Sequence, residues 1–205
     1  MPLLLASKSP SRQMLLRESE IPFVVIEQDA DESQCDWGLQ LSQVVSHIAL
    51  YKMEHAIVPA GNVIGQRCFV LTADTLSCDS NGVIQGKPVD REDAIAKIKS
   101  ARAGSSLCTA FCLDRRVWNG SSWDVDERIA QHVEARYVFD IPDAWIDRYL
   151  DYTFPAGNTP QQCAGAIAVE GFGGQFLRTL EGSHSAIIGL PLFEVREALE
   201  KLEFF

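Results

Sequence analysis

The sequence predicts an α/β protein, and three observations carry that prediction. Short runs of β-forming residues alternate with helix-period segments through the N-terminal half. Two longer β-rich runs, Ser106 to Trp118 and Glu127 to Phe139, then flank the turn Asn119-Gly120-Ser121-Ser122. Between these regions lies Val70-Leu71-Thr72-Ala73-Asp74-Thr75-Leu76, an apolar run that carries a carboxylate and two hydroxyls into a strand. The pattern implies one α/β domain over residues 1–205, or two lobes sharing a sheet with a cleft between them.

Composition narrows the function. A chain of 205 residues with 46% hydrophobic content can bury a sizeable core. Its net charge of -10, from 28 acidic against 18 basic residues, argues against an extended nucleic-acid or anionic-membrane surface. A small phosphorylated substrate stays possible where a few cations converge. No apolar run reaches the length of a membrane span. The opening Met-Pro-Leu-Leu-Leu-Ala lacks a basic region and meets Ser-Lys-Ser too soon for a signal peptide, so a cytoplasmic protein is expected. The six cysteines form no C-x-x-C pair and read as reduced, mostly core residues.

Leu3 to Ser7 reads as a strand running into Ser9-Pro10, an N-cap with proline at the first helical position. The helix carries Met14, Leu15 and Leu16 and stops before Ile21-Pro22. Arg12 falls in its first turn, where free amides and the helix dipole favour an anion. Lys8 and Arg12 therefore suggest a phosphate cradle, or two solvated surface charges. A second strand, Phe23 to Glu27, ends in Asp29-Ala30-Asp31-Glu32. That run suits a hard cation, a solvated acidic turn, or a charge group at the start of a helix. The next helix, from Leu39 to Ile57, has the apolar stripe Leu41, Val44, Val45, Ile48, Ala49 and Ala56. Lys52 interrupts that stripe, so it either snorkels or points into a cleft. His47 and His55 lack the spacing of a metal pair and read as surface residues.

An ionised Asp74 in a buried strand needs a cation or several hydrogen bonds. Gly86-Lys87-Pro88 supplies a lysine a little further on, and the pair suits a metal-bound phosphate; a structural Asp held by amides fits the strand equally. Asn81-Gly82 predicts a two-residue hairpin pairing Leu76–Cys78 with Val83–Gln85. Asp90 caps a helix with Ala94, Ile95 and Ile98 inward, ended by Ala103-Gly104. Pro142 opens another, with Trp145, Ile146, Tyr149 and Leu150 on one face. Thr153 to Gln162 reads as a polar loop, and Cys163-Ala164-Gly165 begins a β-like run through Val169. Glu170 then precedes the glycine cluster Gly171-Phe172-Gly173-Gly174, a place where backbone approaches something closely, or a tight turn. Gly182-Ser183-His184-Ser185 reads as a loop, and Gly189-Leu190-Pro191 leads into a final helix with Val195, Leu199 and Leu202.

Several of these segments occur together in a known order. Ala6-Ser7-Lys8-Ser9-Pro10-Ser11-Arg12, Asp31-Glu32, Lys52, Ala73-Asp74-Thr75, Gly86-Lys87-Pro88, Glu170-Gly171 and Gly189-Leu190-Pro191-Leu192 resemble the Maf family of nucleoside triphosphate pyrophosphatases, once called septum formation inhibitors. The resemblance covers nearly the whole chain. It implies a fold similar to the inosine triphosphatase-like architecture, an elongated mixed sheet flanked by helices with two lobes and a central cleft. It also implies hydrolysis of a nucleoside triphosphate to the monophosphate and pyrophosphate, a divalent cation (Mg²⁺ or Mn²⁺) and a homodimer. Carried to matching positions, Asp74 is the proton acceptor or metal-positioning acid. Ser7, Arg12, Lys52 and Lys87 surround the triphosphate, Glu32 suits the metal, and Ser11, Thr75 and Glu170 bear on base selection.

The chain also departs from that family's pattern. Gln162-Cys163 stand where Asp-Lys is common, Glu170 where Gln is common, Leu107 where a His is common, and Ser11 where Arg is frequent. Cys-Ala-Gly with Glu-Gly-Phe-Gly resembles the branch acting on 7-methylguanosine triphosphate, whereas Ala-Asp-Thr resembles the branch acting on thymidine and uridine triphosphates. Hydrogen bonding favours the former: a carboxylate accepts from the N1–H and N2–H₂ edge of guanine, while a pyrimidine offers one N–H between two acceptors. A pyrimidine triphosphatase and a non-catalytic nucleotide-binding regulator of division are the alternatives.

Overall fold

Helix α1 (Pro10–Glu18) links two strands that lie side by side and parallel, β1 (Leu3–Leu5) and β2 (Phe23–Val25). Parallel neighbours require such a crossover, and the helix starts where Ser9 and Pro10 predict. This is a computed structural model that describes residues 2–153 and 163–205. Among those residues the sheet has seven strands in the order β2-β1-β3-β5-β6-β7, with β4 on β3. The other strands are β3 (Arg67–Asp79), β4 (Ile84–Gln85), β5 (Ser105–Trp118), β6 (Trp123–Phe139) and β7 (Leu177–Gly182). Helices α2 (Leu41–Glu54), α3 (Arg91–Ser100), α4 (Asp143–Thr153), α5 (His184–Ile188) and α6 (Leu192–Lys201) flank it. β1 runs parallel to β3, while β4 and β7 run antiparallel to their partners, so the sheet is mixed.

The chain groups into two compact units, one of Met1–Asp74, Thr109–His132 and Gly189–Phe205, the other of Thr75–Cys108 and Val133–Ile188. In the first, β3 is buried without a break from Cys68 to Asp74, as expected of a strand covered on both faces. Ala6, Ile26, Met53, Val70 and Cys112 form part of its core. In the second, Ala135, Tyr137 and Phe139 alternate inward along β6, and Tyr137 and Phe139 pack with Ile98, Ile146, Tyr149, Leu150 and Phe176.

Several expectations need correction. β2 and α2 are shorter than predicted; Ala56 lies beyond α2 and forms an isolated bridge with Gln28. The β3–β4 hairpin joins the predicted segments, with Ser77 opposite Gln85 and Cys78 opposite Ile84, but its turn is longer than two residues. The Asp79 carboxylate accepts from the amides of Asn81 (2.9 Å) and Val83 (3.0 Å) and organises it. β6 begins at Trp123 rather than Glu127. Its charged start is held by Arg115 on Asp126 (2.6 Å) and by Arg128 on the buried Asp114 (2.6 Å). The β-like run after Cys163 is a 3-10 turn, Ala164–Ala166, with Gly165 at φ 64°. The expected loop at Gly182–Ser185 is instead the end of β7 and the start of α5. His55 is only half-buried surface: its Nδ1 lies 2.8 Å from the Tyr51 carbonyl.

The loop expected from Thr153 to Gln162 lies outside the described residues, apart from Thr153, which ends α4. All six cysteines are free. No helix among the described residues is long and apolar enough to cross a membrane.

Candidate active site

Hydrogen bonds from both backbone and side chain set the position of Arg12. Its backbone amide, in the first turn of α1, is capped by the Ser9 hydroxyl. Its guanidinium turns back, donating to the Ser7 hydroxyl at 3.1 Å and, through Nε, to the Gly189 carbonyl at 2.8 Å. The side chain is thereby buried, which pulls its pKa below the ordinary value; Asp74 and Glu32 act in the opposite sense. A guanidinium stays protonated under such pressure. Lys8 does not share this setting, since it is exposed and pairs loosely with Glu27, so it is a solvated surface charge.

Lys52 follows Ile48 and Ala49 on the buried face of α2. That face lies against β3, where the buried Thr72 hydroxyl donates to the Ala49 carbonyl at 2.7 Å. Two residues further on the same strand face stands Asp74, and one helical turn beyond Ala49 stands Lys52. The register brings Lys52 Nζ to 2.7 Å from Asp74 Oδ1. Glu32 Oε1 lies 2.9 Å from the same nitrogen. Glu32 opens a 3-10 turn whose N-cap is Asp31; hydrogen bonds from Ser33 and Gln34 hold the Asp31 carboxyl below its usual range. Asp31 is thus a cap, and Glu32 is the acid of that run which reaches Lys52.

Asp74 Oδ2 is buried with no hydrogen-bond partner. A buried carboxylate oxygen without a donor is costly, and such atoms mark sites where a ligand completes the set. Arg12 and Lys52 set two positive charges against the two negative charges of Asp74 and Glu32. These four groups alone carry no excess of positive charge for a polyanion.

The second unit places Lys87, Cys163 and Glu170 along one backbone arrangement. Gly86, before Lys87, accepts through its carbonyl from the Gly165 amide at 3.1 Å. Cys163 is half-buried; burial and then Glu170 push its thiol up to about 12, against the pull of Lys87. It is therefore a neutral thiol near pH 7 and does not replace a lysine's charge. Glu170 is half-buried at the N-cap of a 3-10 turn, Gly171–Phe176, with its carbonyl accepting from the Gly173 amide at 3.1 Å. Lys87 is exposed. Thr75, half-buried, follows Asp74 on β3, and Ser11 is half-buried on α1.

Of the sequence-predicted residues, Ser7, Arg12, Glu32, Lys52 and Asp74 are brought together in the first unit. Lys87, Glu170 and Thr75, the residue after Asp74 on β3, belong to the second. Three contributions were not legible in advance: the Gly189 carbonyl on Arg12, the Thr72 bond that sets the helix register, and Tyr149, whose hydroxyl reaches the backbone beside Glu170. The one available signal was Gly189-Leu190-Pro191, where a glycine at φ 129° precedes a helix.

A mixed α/β sheet with a buried acid, a lysine and a guanidinium at a helix N-terminus defines a protein built for oxyanion chemistry. The chain belongs to the Maf-like protein family, whose profile matches residues 2–202. It is 33% identical over 208 residues to a Trichormus variabilis protein named nucleoside triphosphate pyrophosphatase, covering 98% of this chain and 93% of that one. A Corynebacterium glutamicum protein of the same name is 32% identical, covering 100% and 96%. A protein from Caldanaerobacter subterraneus named dTTP/UTP pyrophosphatase is 29% identical, covering 98% and 89%.

Proposed function

We propose that Asp74 is the acid around which this chain hydrolyses a nucleoside triphosphate to the monophosphate and pyrophosphate. The chain is a hydrolase acting on acid anhydrides, and the observation that carries the assignment is the buried Asp74–Lys52 pair at 2.7 Å with Asp74 Oδ2 left unpartnered. Lys52 compensates the carboxylate through one oxygen. The other is available to orient water for in-line attack at the α-phosphorus and to take its proton. Arg12, fixed by Ser7 and Gly189, offsets the charge of the phosphates, a role the family resemblance also implies for Lys87.

The donor set fits a divalent metal. Among the described residues no group of three or more His, Cys, Asp and Glu side chains forms a metal site of its own. Two carboxylates completed by substrate phosphates and water are what a Mg²⁺-type ion uses. Asp74 and Glu32 would hold that Mg²⁺ or Mn²⁺, which supplies the positive charge that the balanced quartet of side chains lacks.

For the base, Glu170 favours a guanine-like partner, best a 7-methylated one, whose cationic ring strengthens N1–H and N2–H₂ donation to a carboxylate. Thr75 and the dTTP/UTP pyrophosphatase relative favour a pyrimidine instead. Pyrophosphate release with Mg²⁺ and then Mn²⁺ across 7-methyl-GTP, GTP, UTP, CTP and dTTP tests both. Preference for 7-methyl-GTP that Glu170→Gln abolishes supports the first; a pyrimidine preference replaces it with the second. Asp74→Asn lowers kcat by about 10²–10⁴-fold while nucleotide binding persists. Binding without turnover in the parent protein would make it a nucleotide-binding regulator.

A further inference from the structure

Glu170 sits on a segment with no strand ladder to hold it. Residues 167–169 are buried and lie in no helix or strand, and they follow two residues of positive φ, Gly165 (64°) and Ala166 (57°). Buried backbone without a ladder must find its hydrogen bonds elsewhere. Here one side chain provides two of them. Tyr149, on α4, is fully buried, and its hydroxyl donates to the Ala166 carbonyl at 2.9 Å and accepts from the Ala168 amide at 2.8 Å. The ring is fixed independently by Phe139 (centroids 5.4 Å apart) and Phe176 (6.2 Å).

The same stretch is pinned from its far side. A Cβ at Gly173 would lie 1.8 Å from the Ala168 carbonyl oxygen and 3.2 Å from Tyr149 Cε2, so only glycine permits this approach. The Gly173 amide returns to the Glu170 carbonyl, and Gly165 ties the other end to Gly86, the neighbour of Lys87. The glycine cluster therefore serves a backbone-on-backbone contact, with Glu170 at its edge.

We propose that Tyr149 is a positioning residue for base selection: by bonding Ala166 and Ala168 it fixes the backbone two residues before Glu170, and so the place of that carboxylate. The proposal rests on the assignment of Glu170 to the base. A hydroxyl that only stabilised the fold would lower the amount of active enzyme equally for every nucleotide. A positioning hydroxyl changes the ratio between nucleotides.

The test is Tyr149→Phe, which deletes one oxygen and keeps the ring. Gly173→Ala disturbs the same segment from the other side, and Ile187→Ala loosens the same core at α5, away from the Tyr149 hydroxyl. For each, kcat and KM are measured for the best and worst nucleotides of the panel, with amide hydrogen exchange of the nucleotide-free protein. Tyr149→Phe and Gly173→Ala are expected to speed exchange at residues 166–170 and to cut the discrimination ratio at least tenfold, chiefly through KM. Ile187→Ala should lower Tm and leave the ratio alone. Faster exchange with an unchanged ratio overturns the proposal, as does unchanged exchange in Tyr149→Phe. If Glu170→Gln itself leaves the ratio unchanged, the base assignment fails and the proposal falls with it; a ratio sensitive to Glu170 and indifferent to Tyr149 removes the proposal alone.

Discussion

A lysine on the apolar stripe of a helix has two fates, and Lys52 shows which one the chain uses. Its ammonium is buried between Asp74 and the more exposed Glu32 rather than snorkelling to water. Removing one member of a buried pair strands the other in a poor solvent, which costs about 3–5 kcal/mol in well-buried cases. Lys52→Met is expected at the low end, because Glu32 is partly hydrated. Combining it with Asp74→Asn should cost less than the two single changes added, since neither charge is then left alone. Urea midpoints of the four proteins measure this, and strict additivity would deny the coupling. At this scale the sequence was informative where a residue broke a pattern: Lys52 interrupted a stripe and Asp74 an apolar strand. It did not disclose the bond from Arg12 to Gly189, because a backbone carbonyl leaves no mark on residue type.

Elements position these residues through register. Thr72 and Asp74 share one face of β3, Ala49 and Lys52 one face of α2, and the Thr72–Ala49 bond at 2.7 Å locks the two ladders. Thr72→Val keeps the shape and loses the bond, leaving the Ala49 carbonyl without that donor. A stability loss of about 1 kcal/mol is expected. If the bond also sets the approach of Lys52 to Asp74, kcat falls several-fold with KM little changed; a wild-type kcat would limit Thr72 to stability. Elements with strong local punctuation were legible: Ser9-Pro10, Asp90 and Asn119–Ser122 each begin or turn what they predict. β7 was not, because Leu-Arg-Thr-Leu-Glu-Gly has mostly exposed polar residues and gains its identity from pairing with β6. The segment after Cys163 misled for a related reason. Its buried apolar residues look like a strand, but a tyrosine hydroxyl and glycine packing replace the ladder.

The whole molecule adds a consequence that no single motif carries. The alternation of strands and helices made the mixed sheet readable in advance, and the absence of cysteine spacing made free thiols readable. The cost of burying those thiols depends on the finished core. Cys68 and Cys112 are both buried, and burial pushes their thiols up to about 11 and about 12 from 9.0. Well below the ordinary thiol range of about 8.5–9 both states of the chain keep these protons, so there the thiols contribute no pH dependence. Above it the unfolded chain releases them while the folded chain holds them. The unfolded state then binds fewer protons, and stability falls with rising pH by up to about 1.4 kcal/mol per pH unit for each thiol. The buried hydroxyls of Tyr137 and Tyr149, also raised by burial, add to the same trend from about pH 10 upward. The window from about pH 8.5 to about pH 10 therefore isolates the cysteines. Urea unfolding of the parent and of Cys68→Ala/Cys112→Ala across that window is expected to show a falling midpoint in the parent and a flatter profile in the variant. Parallel profiles would mean that the core admits enough water or charge to ionise the thiols in place. The lost alkaline stability would then have to come from Cys163, Cys35 and Cys78, whose thiols burial also raises.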